Sequence, residues 1–390
     1  MTTAGPLRGA HILPLAMFFG TFAWSFVYVS LPFHIQRIST WDGASTLRWT
    51  GWILGISPLI TVVTAPISGR LGERIDPKLG FITVQAFQGV GFFLMGLARS
   101  LPELFFARLL LGLMGAVSTF AFIMVGRGQG DVRRGVSAIQ SGMTLGQVLG
   151  PAAGAVVAAR LGFKLSFFLA GLMLWGCSAM VGWGVPRHGA ARPHEAGVGA
   201  ASVREVGTVC LLVLAGSTQV FFLTAILPQI LPPLGVAPSA TLEVGGLVIF
   251  ATGMAAALGS VMAPRLGDAL GDRRVVPWFL AGSSVLLASQ ALARDVWSFS
   301  VLRFLQVLFI APIFPLSVAA IAHRASGSAI GFVNSSRIGA AFLGPVVATT
   351  LLTWLPPAAV YLALAALGLA LLPLVLGLAP RPAPREGTVT

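Results

Sequence analysis

Charge is what this chain of 390 residues has least of. Only 9% of the residues are charged, against about 25% in an ordinary soluble domain. With 56% apolar residues, polar groups cannot cover a water-facing surface, which excludes a soluble enzyme and a disordered chain. Cysteine is nearly absent too. Cys177 and Cys210 both fall inside apolar runs. They offer neither a disulfide framework nor metal-ligand spacing, so no metal and no cofactor are expected. Acids number 12: Asp42, Glu73, Asp76, Glu103, Asp131, Glu195, Glu205, Glu243, Asp268, Asp272, Asp295 and Glu386. Each falls at or near the end of an apolar run, or between runs, and none lies deep inside one.

What is present is a series of apolar runs of bilayer length. A bilayer core takes ~20 apolar residues per helix, and backbone groups in lipid must pair within the helix. Runs occur near 12–33, 47–68, 79–98, 102–125, 136–159, 165–185, 206–229, 242–264, 275–293, 297–321, 329–352 and 357–378. The spacing predicts an all-α integral membrane protein of twelve spans. Arg8 precedes the first run, which continues to about Phe33 without a small-residue cleavage site, so a retained span is expected. The stretch 186–205 carries Gly, Ala, His, Pro and charges, and it reads as a linker between halves 1–185 and 206–390.

The net charge of +13 does not point to nucleic acid. Basic residues stand in ones and threes between apolar runs, with no basic stripe and no aromatic interleaving. They do fix an orientation. With the N-terminus inside, 16 bases lie on the cytoplasmic side and 6 outside, so both termini are expected in the cytoplasm. Arg108, Arg303 and Arg337 fall within spans. High arginine usage beside two lysines fits a GC-rich bacterial genome, and hence an inner (plasma) membrane.

The sequence repeats itself at half its length. Arg70-Leu71-Gly72-Glu73 recurs as Arg265-Leu266-Gly267-Asp268, and Arg108 as Arg303, both at an offset of 195. Leu149-Gly150-Pro151 recurs as Leu343-Gly344-Pro345, and Gln140 as Asn334, at an offset of 194. Two six-span halves inserted the same way up are implied, with a transport path at their interface.

On these residues the chain resembles the major facilitator superfamily over nearly its whole length, in particular its twelve-span drug:proton antiporters. Gly69-Arg70-Leu71-Gly72-Glu73-Arg74-Ile75-Asp76-Pro77-Lys78 is similar to the superfamily's signature after span 2, with Asp76 and Pro77 departing from it. Gly146-Gln147-Val148-Leu149-Gly150-Pro151-Ala152-Ala153-Gly154 resembles the span-5 antiporter motif. Arg108, with Gly112 and Gly115, resembles the span-4 arginine motif. The resemblance implies two pseudo-symmetric six-helix bundles in the major facilitator fold. It also implies alternating access, export of small amphiphilic compounds of the multidrug type, proton exchange and a monomer. It further implies a gate made by Gly69, Glu73, Arg74, Asp76 and Lys78, with Asp268 at the repeat position. The other reading of those charges is an ungated positive-inside loop.

Gly146, Gly150 and Gly154 leave one helix face bare, so another backbone can approach; Pro151 removes a helical hydrogen bond. Pro312 and Pro315 free carbonyls in span 10, marking either a binding site or a tolerated kink. An arginine facing lipid costs from about 3 to more than 10 kcal/mol, so Arg108, Arg303 and Arg337 should face inward. They are candidates for substrate binding or for bonding backbone carbonyls. Trp24 and Tyr28, Gln140 and Gln147, Gln219 and Phe222, Gln306, and Asn334 stand at helical spacing, as cavity lining or as helix packing. The cations favour anionic or neutral amphiphiles, so a carrier of organic anions or anionic lipids without carboxylate-based proton coupling is the alternative function. Proton-coupling candidates are Glu73, Asp76, Glu103 and His34, the last expected at a solvated loop edge. No Walker motif, H-E-x-x-H or nucleophile motif is present, so neither an ATP-driven pump nor an enzyme is expected.

The charge count generates a topology prediction. Alkaline phosphatase inserted after Ala196 should be inactive and green fluorescent protein there should fluoresce. The reverse pair of signals would refute the orientation.

Overall fold

The structure is a computed structural model. It describes residues 7–115, 117–127, 132–186, 202–270, 272–322 and 327–376. Within these ranges the side chains of 7–10, 65, 66, 68–74, 127, 132, 133, 264, 270, 272–274, 319, 320, 322 and 327–330 are outside the description.

Among the described residues, twelve helical segments are long and apolar enough to cross a membrane. In chain order, spans 1 to 12 are His11–Ile38, Gly43–Thr64, Pro77–Leu97, Leu101–Gly126, Arg134–Leu161, Phe163–Gly184, Val203–Ile230, Thr241–Ala263, Val275–Leu292, Val296–Val318, Gly331–Leu352 and Pro357–Leu376. The hydropathy reading misses the end of span 1 by five residues, Phe33 against Ile38. Ser30 folds its hydroxyl onto the Val27 carbonyl (3.0 Å) and Pro32 opens a second short helix, Leu31–Ile38, which lengthens the span. Odd-numbered spans begin on the face where the chain leaves at Pro186 and re-enters at Ser202. That face is the linker face here, and the opposite one is the far face.

Local chemistry sets several helix starts. Asp76 caps span 3 by accepting from the Lys78 N–H at 3.0 Å, with Pro77 just inside the helix. Ser202 and Glu205 form a reciprocal capping box at the start of span 7. Two spans are interrupted at matching depth. Span 10 breaks between helices ending at Ile310 and starting at Ile313, because Pro312 cannot bond back to Leu308. Span 4 breaks after Leu113 without a proline; Gly115 turns the chain with φ +74°. Only glycine takes that conformation readily.

The same packing relations occur twice. Span 1 lies along span 5 and span 7 along span 11; span 3 pairs with 6 and span 9 with 12; span 2 pairs with 4 and span 8 with 10. The result is two pseudo-symmetric six-helix bundles. Between bundles, span 2 meets span 11 and span 5 meets span 8.

Small residues make these contacts possible. Gly142, Gly146, Gly150 and Gly154 form a ridge along span 5, and the backbone of span 1 lies directly on it. A Cβ at Gly150 would stand 2.8 Å from the Phe22 carbonyl oxygen, and one at Gly154 would collide with the Phe26 backbone. Between the bundles, a Cβ at Gly51 would stand 3.1 Å from the Pro345 carbonyl oxygen and one at Gly246 would stand 3.0 Å from the Pro151 carbonyl oxygen. The repeat offset maps one contact onto the other. Trp52 against Phe342 (5.6 Å) and Arg48 over Trp354 (5.7 Å) add cover on the same side. The far-face halves of the bundles are therefore packed together.

Gly154→Ala should destabilise the protein by about 1–3 kcal/mol, since even a methyl meets backbone that cannot rotate away. Gly176→Ala, where the added carbon meets nothing within 4 Å, should be neutral. Thermal unfolding of the two purified variants in one detergent checks this; equal midpoints would refute the close span 1–span 5 approach.

Candidate functional site

Where the far-face halves meet, the linker-face halves diverge and leave a cavity of about 1180 Å³. Its walls come from spans 5, 7, 8, 10 and 11. Most of the lining is aliphatic, from Leu212, Val213 and Val220 on span 7 to Ile310 on span 10. The break in span 10 contributes directly through Ala311, Ile313, Phe314 and Pro315. Span 8 fits against this break because Gly259 has no side chain: a Cβ there would lie 2.7 Å from the Leu308 carbonyl that Pro312 frees. Polar groups are few. Ser137, Gln140, Ser141, Thr144 and Gln147 stripe span 5, Ser217 and Ser260 stand on spans 7 and 8, and Asn334 and Arg337 on span 11. No carboxylate is among the lining residues. An apolar chamber with a handful of polar groups is a general form of a small-molecule site.

Of the substrate-binding candidates, the structure brings Gln140, Gln147, Asn334 and Arg337 together around this cavity. It does not bring Trp24, Tyr28, Arg108, Gln219, Phe222, Arg303 or Gln306 there. Those seven lie inside the bundles, and the reason is visible in their bonds.

Arg108 is 2% exposed. It donates from Nε to the Ile53 carbonyl at 3.1 Å and from Nη2 to the Leu54 carbonyl at 3.0 Å, both on span 2. Its guanidinium lies 5.4 Å over the Trp24 ring. Trp24 in turn donates to Gln88 Oε1 at 3.3 Å, and Gln88 donates to the Gly115 carbonyl in the break of span 4 (3.2 Å). The Tyr28 hydroxyl is buried without a hydrogen-bond partner among the described residues.

Arg303 is fully buried. It donates to the Gln219 and Val220 carbonyls of span 7 at 2.8 and 2.7 Å, and to Gln306 Oε1 at 2.7 Å. Phe222 lies under it at 5.2 Å. Gln306 donates to Ser283 Oγ (3.0 Å), Ser283 donates to Gln219 Oε1 (3.1 Å), and Gln219 donates to Ser284 Oγ (3.3 Å) and the Leu364 carbonyl (3.2 Å). One network thus ties spans 7, 9, 10 and 12. Charge-assisted bonds of this length offset part of the several-kcal/mol penalty of burying an ion.

The two networks occupy the same repeat positions. An offset of 195 carries Trp24, Gln88 and Arg108 onto Gln219, Ser283 and Arg303. Gln88 and Ser283 did not stand out in the sequence, although the repeat offset from Trp24 and Arg108 points to them.

Arg337 is different. Its guanidinium stacks 4.9 Å over the Phe314 ring, and among the described residues it makes no hydrogen bond or ion pair.

The remaining candidates separate by place. Gly146, Gly150, Pro151 and Gly154 lie on the span 1 and span 8 contacts described above. Asp76 and Lys78 sit at the linker-face start of span 3, and Asp268 is exposed on the helix that continues span 8 to Leu270. Gly69, Glu73 and Arg74 lie on the helix that continues span 2 to Arg74, with their side chains outside the description. Glu103 is exposed and bound to its own helix start, accepting from Ser100 Oγ at 2.9 Å and the Arg99 N–H at 2.8 Å. His34 is not at a solvated edge. It is 9% exposed, wedged 5.2 Å from Phe163 and 5.1 Å from Phe167, with neither ring nitrogen hydrogen-bonded among the described residues. The early end expected for span 1 caused that misplacement, since the helix runs four residues beyond His34.

The sequence model of the Major Facilitator Superfamily matches residues 13–236 and 208–390. The chain belongs to that superfamily: it is a multi-pass membrane transporter and not an enzyme. It is 28% identical over 349 residues to YuxJ of Bacillus subtilis (strain 168), an uncharacterized MFS-type transporter, covering 85% of this chain and 88% of the relative. It is 24% identical over 313 residues to the multidrug resistance protein MdtG of Yersinia enterocolitica, covering 76% and 74%. Its fold is that of the nucleoside transporter NupG (TM-score 0.73, 11% identity, 94% of this chain and 98% of that one). The human organic anion transporter MFSD10 shares it too (0.71, 15%, 96% and 100%).

Removing a bonded arginine strands its acceptors. Arg108→Ala and Arg303→Ala should each cost about 2–3 kcal/mol, the worth of hydrogen bonds to a charged group. Arg337→Ala should not lower the unfolding midpoint. Thermal unfolding of the three variants decides it: a loss for Arg337 equal to that for Arg303 would refute the distinction.

Proposed function

We propose that this chain is a secondary transporter that exports small amphiphilic organic compounds in exchange for protons, by alternating access, as a monomer in a bacterial inner membrane. Both termini then lie in the cytoplasm, and the cavity is in its inward-open state. The observation that carries the reading is the cavity itself. It is large enough for a drug-sized molecule, apolar over most of its wall, open on the linker face and closed on the far face by glycine contacts. Export is supported by the likeness to multidrug resistance proteins at 24% identity. Proton exchange is supported by the likeness of the span-5 motif to that of drug:proton antiporters.

The two halves, 1–185 and 206–390, move as units joined by 186–205. Gly69, Glu73, Arg74, Asp76 and Lys78, with Asp268 opposite, close the linker face in the other state. Exposed ion pairs contribute about 0–1 kcal/mol each, which lets such a latch open again. With no acid on the cavity wall, the proton-carrying groups are to be sought outside it, among Glu73, Asp76, Glu103 and His34.

Proteoliposomes loaded with a pH-sensitive dye, without an imposed gradient, test this. Lipophilic cations, neutral amphiphiles and organic anions are added in turn, and empty liposomes are subtracted. Proton movement that depends on cargo is the expected result. Labelled cargo crossing without a proton signal would overturn exchange, and failure of every class to cross would overturn the export reading.

A further inference from the structure

We infer that Arg337 is an anion subsite of the cavity, so the exported amphiphile carries a carboxylate, sulfonate or phosphate-type group. The inference rests on the cavity being the transport site.

Three arginines, Arg108, Arg303 and Arg337, lie more than five residues from either end of a span, and the structure divides them. Arg108 spends its donors on span 2 carbonyls, and Arg303 on span 7 carbonyls and Gln306. Arg337 spends none among the described residues. Its guanidinium carbon lies over the face of Phe314 at 4.9 Å. A guanidinium carries five N–H donors in a planar fork, and one that makes no hydrogen bond among the described residues can give two of them at once to a two-oxygen anion. Half-buried between spans 10 and 11, the charge lacks full hydration and, among the described residues, a counterion. Among the described residues the cavity wall supplies no carboxylate.

The repeat supplies an independent argument. The offset of 194 that carries Gln140 onto Asn334 carries Met143 onto Arg337. Met143 packs in an ordinary apolar cluster of the first bundle. Arg108 and Arg303 occur in both halves and hold both halves together. Arg337 occurs in one half, so the bundle architecture does not need a cation at that position. Its surroundings match an amphiphile. Asn334, one turn earlier, and Gln140 on span 5 offer amide donors to an anion. Leu212, Val213, Val220 and Ile310 form the apolar wall for the remainder of the molecule.

Equilibrium binding to full-length protein in phosphatidylcholine nanodiscs tests it, with empty nanodiscs subtracted. The probes are a matched set: 2-naphthoate, 2-naphthalenemethanol and 2-naphthylmethylammonium. The expected result is a preference for 2-naphthoate over the neutral probe of about tenfold or more, the worth of one or two charge-assisted bonds. Arg337→Gln should abolish that preference while leaving the neutral probe bound as before. Arg337→Lys should retain part of it. Ser217→Trp, which fills the cavity from span 7, should weaken all three probes. No anion preference in the wild type, or an undiminished one in Arg337→Gln, would overturn the subsite. If Ser217→Trp left all three probes bound, the cavity reading itself would fail, whatever Arg337→Gln does.

Discussion

Backbone-to-backbone approach at glycine is the contact on which the rest of this molecule depends. In lipid, burying apolar side chains gives little drive for one helix to seek another, and close packing must supply it. Span 5 presents a glycine every fourth residue from Gly142 to Gly154, and span 1 lies on that ridge at backbone distance. The opposite side of span 5 takes part in the inter-bundle contact, where Gly246 meets the Pro151 carbonyl. Gly51 meets the Pro345 carbonyl in the same way on spans 2 and 11. Two glycine notches, related by the sequence repeat, therefore draw the far-face halves together. The cavity is the space left where the notches end.

The second constraint is the management of positive charge without acids. An isolated ion in a span is expensive, and a carboxylate is the usual neutraliser. This chain uses carbonyls and amides in its place. Arg108 and Arg303 each tie their own span to a neighbour, and each rests on an aromatic face. These networks turn a potential liability into rigidity within each bundle. Apart from Val220, which lines the cavity and whose carbonyl accepts from Arg303, their members lie outside the cavity lining, so the bundles are stiffened mostly by groups that cargo does not touch. A transporter that moves two bundles against each other needs that separation of roles.

The fold was legible because the bilayer makes it so. Span count follows from run length, and the twofold build follows from Arg70/Arg265, Arg108/Arg303 and Pro151/Pro345 standing at nearly one offset. Less was legible at the site, for a physical reason. Helical spacing says which residues share a stripe but not whether the stripe faces a cavity or a neighbouring helix. Trp24 and Gln219 looked like lining and are instead parts of buried networks, whereas Gln140 and Asn334 do line the cavity. The interruption of span 4 was also hidden. Span 10 announces its break with Pro312, but span 4 breaks at Gly115, and an isolated glycine in an apolar run carries little signal. His34 was misplaced by the extra helix that Pro32 starts, which carries the ring into the core.

The repeat separates architecture from chemistry in this chain. Where both halves keep a feature, as with the buried arginines, the span-4 and span-10 breaks and the glycine–proline notches, the feature belongs to the bundle. Where the halves differ, the bundle does not require it. The cavity lies on the asymmetric part: among the described residues one bundle lends it only span 5, while the other lends spans 7, 8, 10 and 11. Arg337 against Met143 is the sharpest difference within that wall. A charged side chain placed opposite a methionine, kept from full hydration and left without hydrogen bonds among the described residues, carries a cost that the fold does not recover. In the proposed cycle, closing the linker face would dehydrate that charge further. An empty cavity would then resist closure more than one holding an anion, so the same unpaired arginine that selects cargo would also favour movement of the loaded carrier.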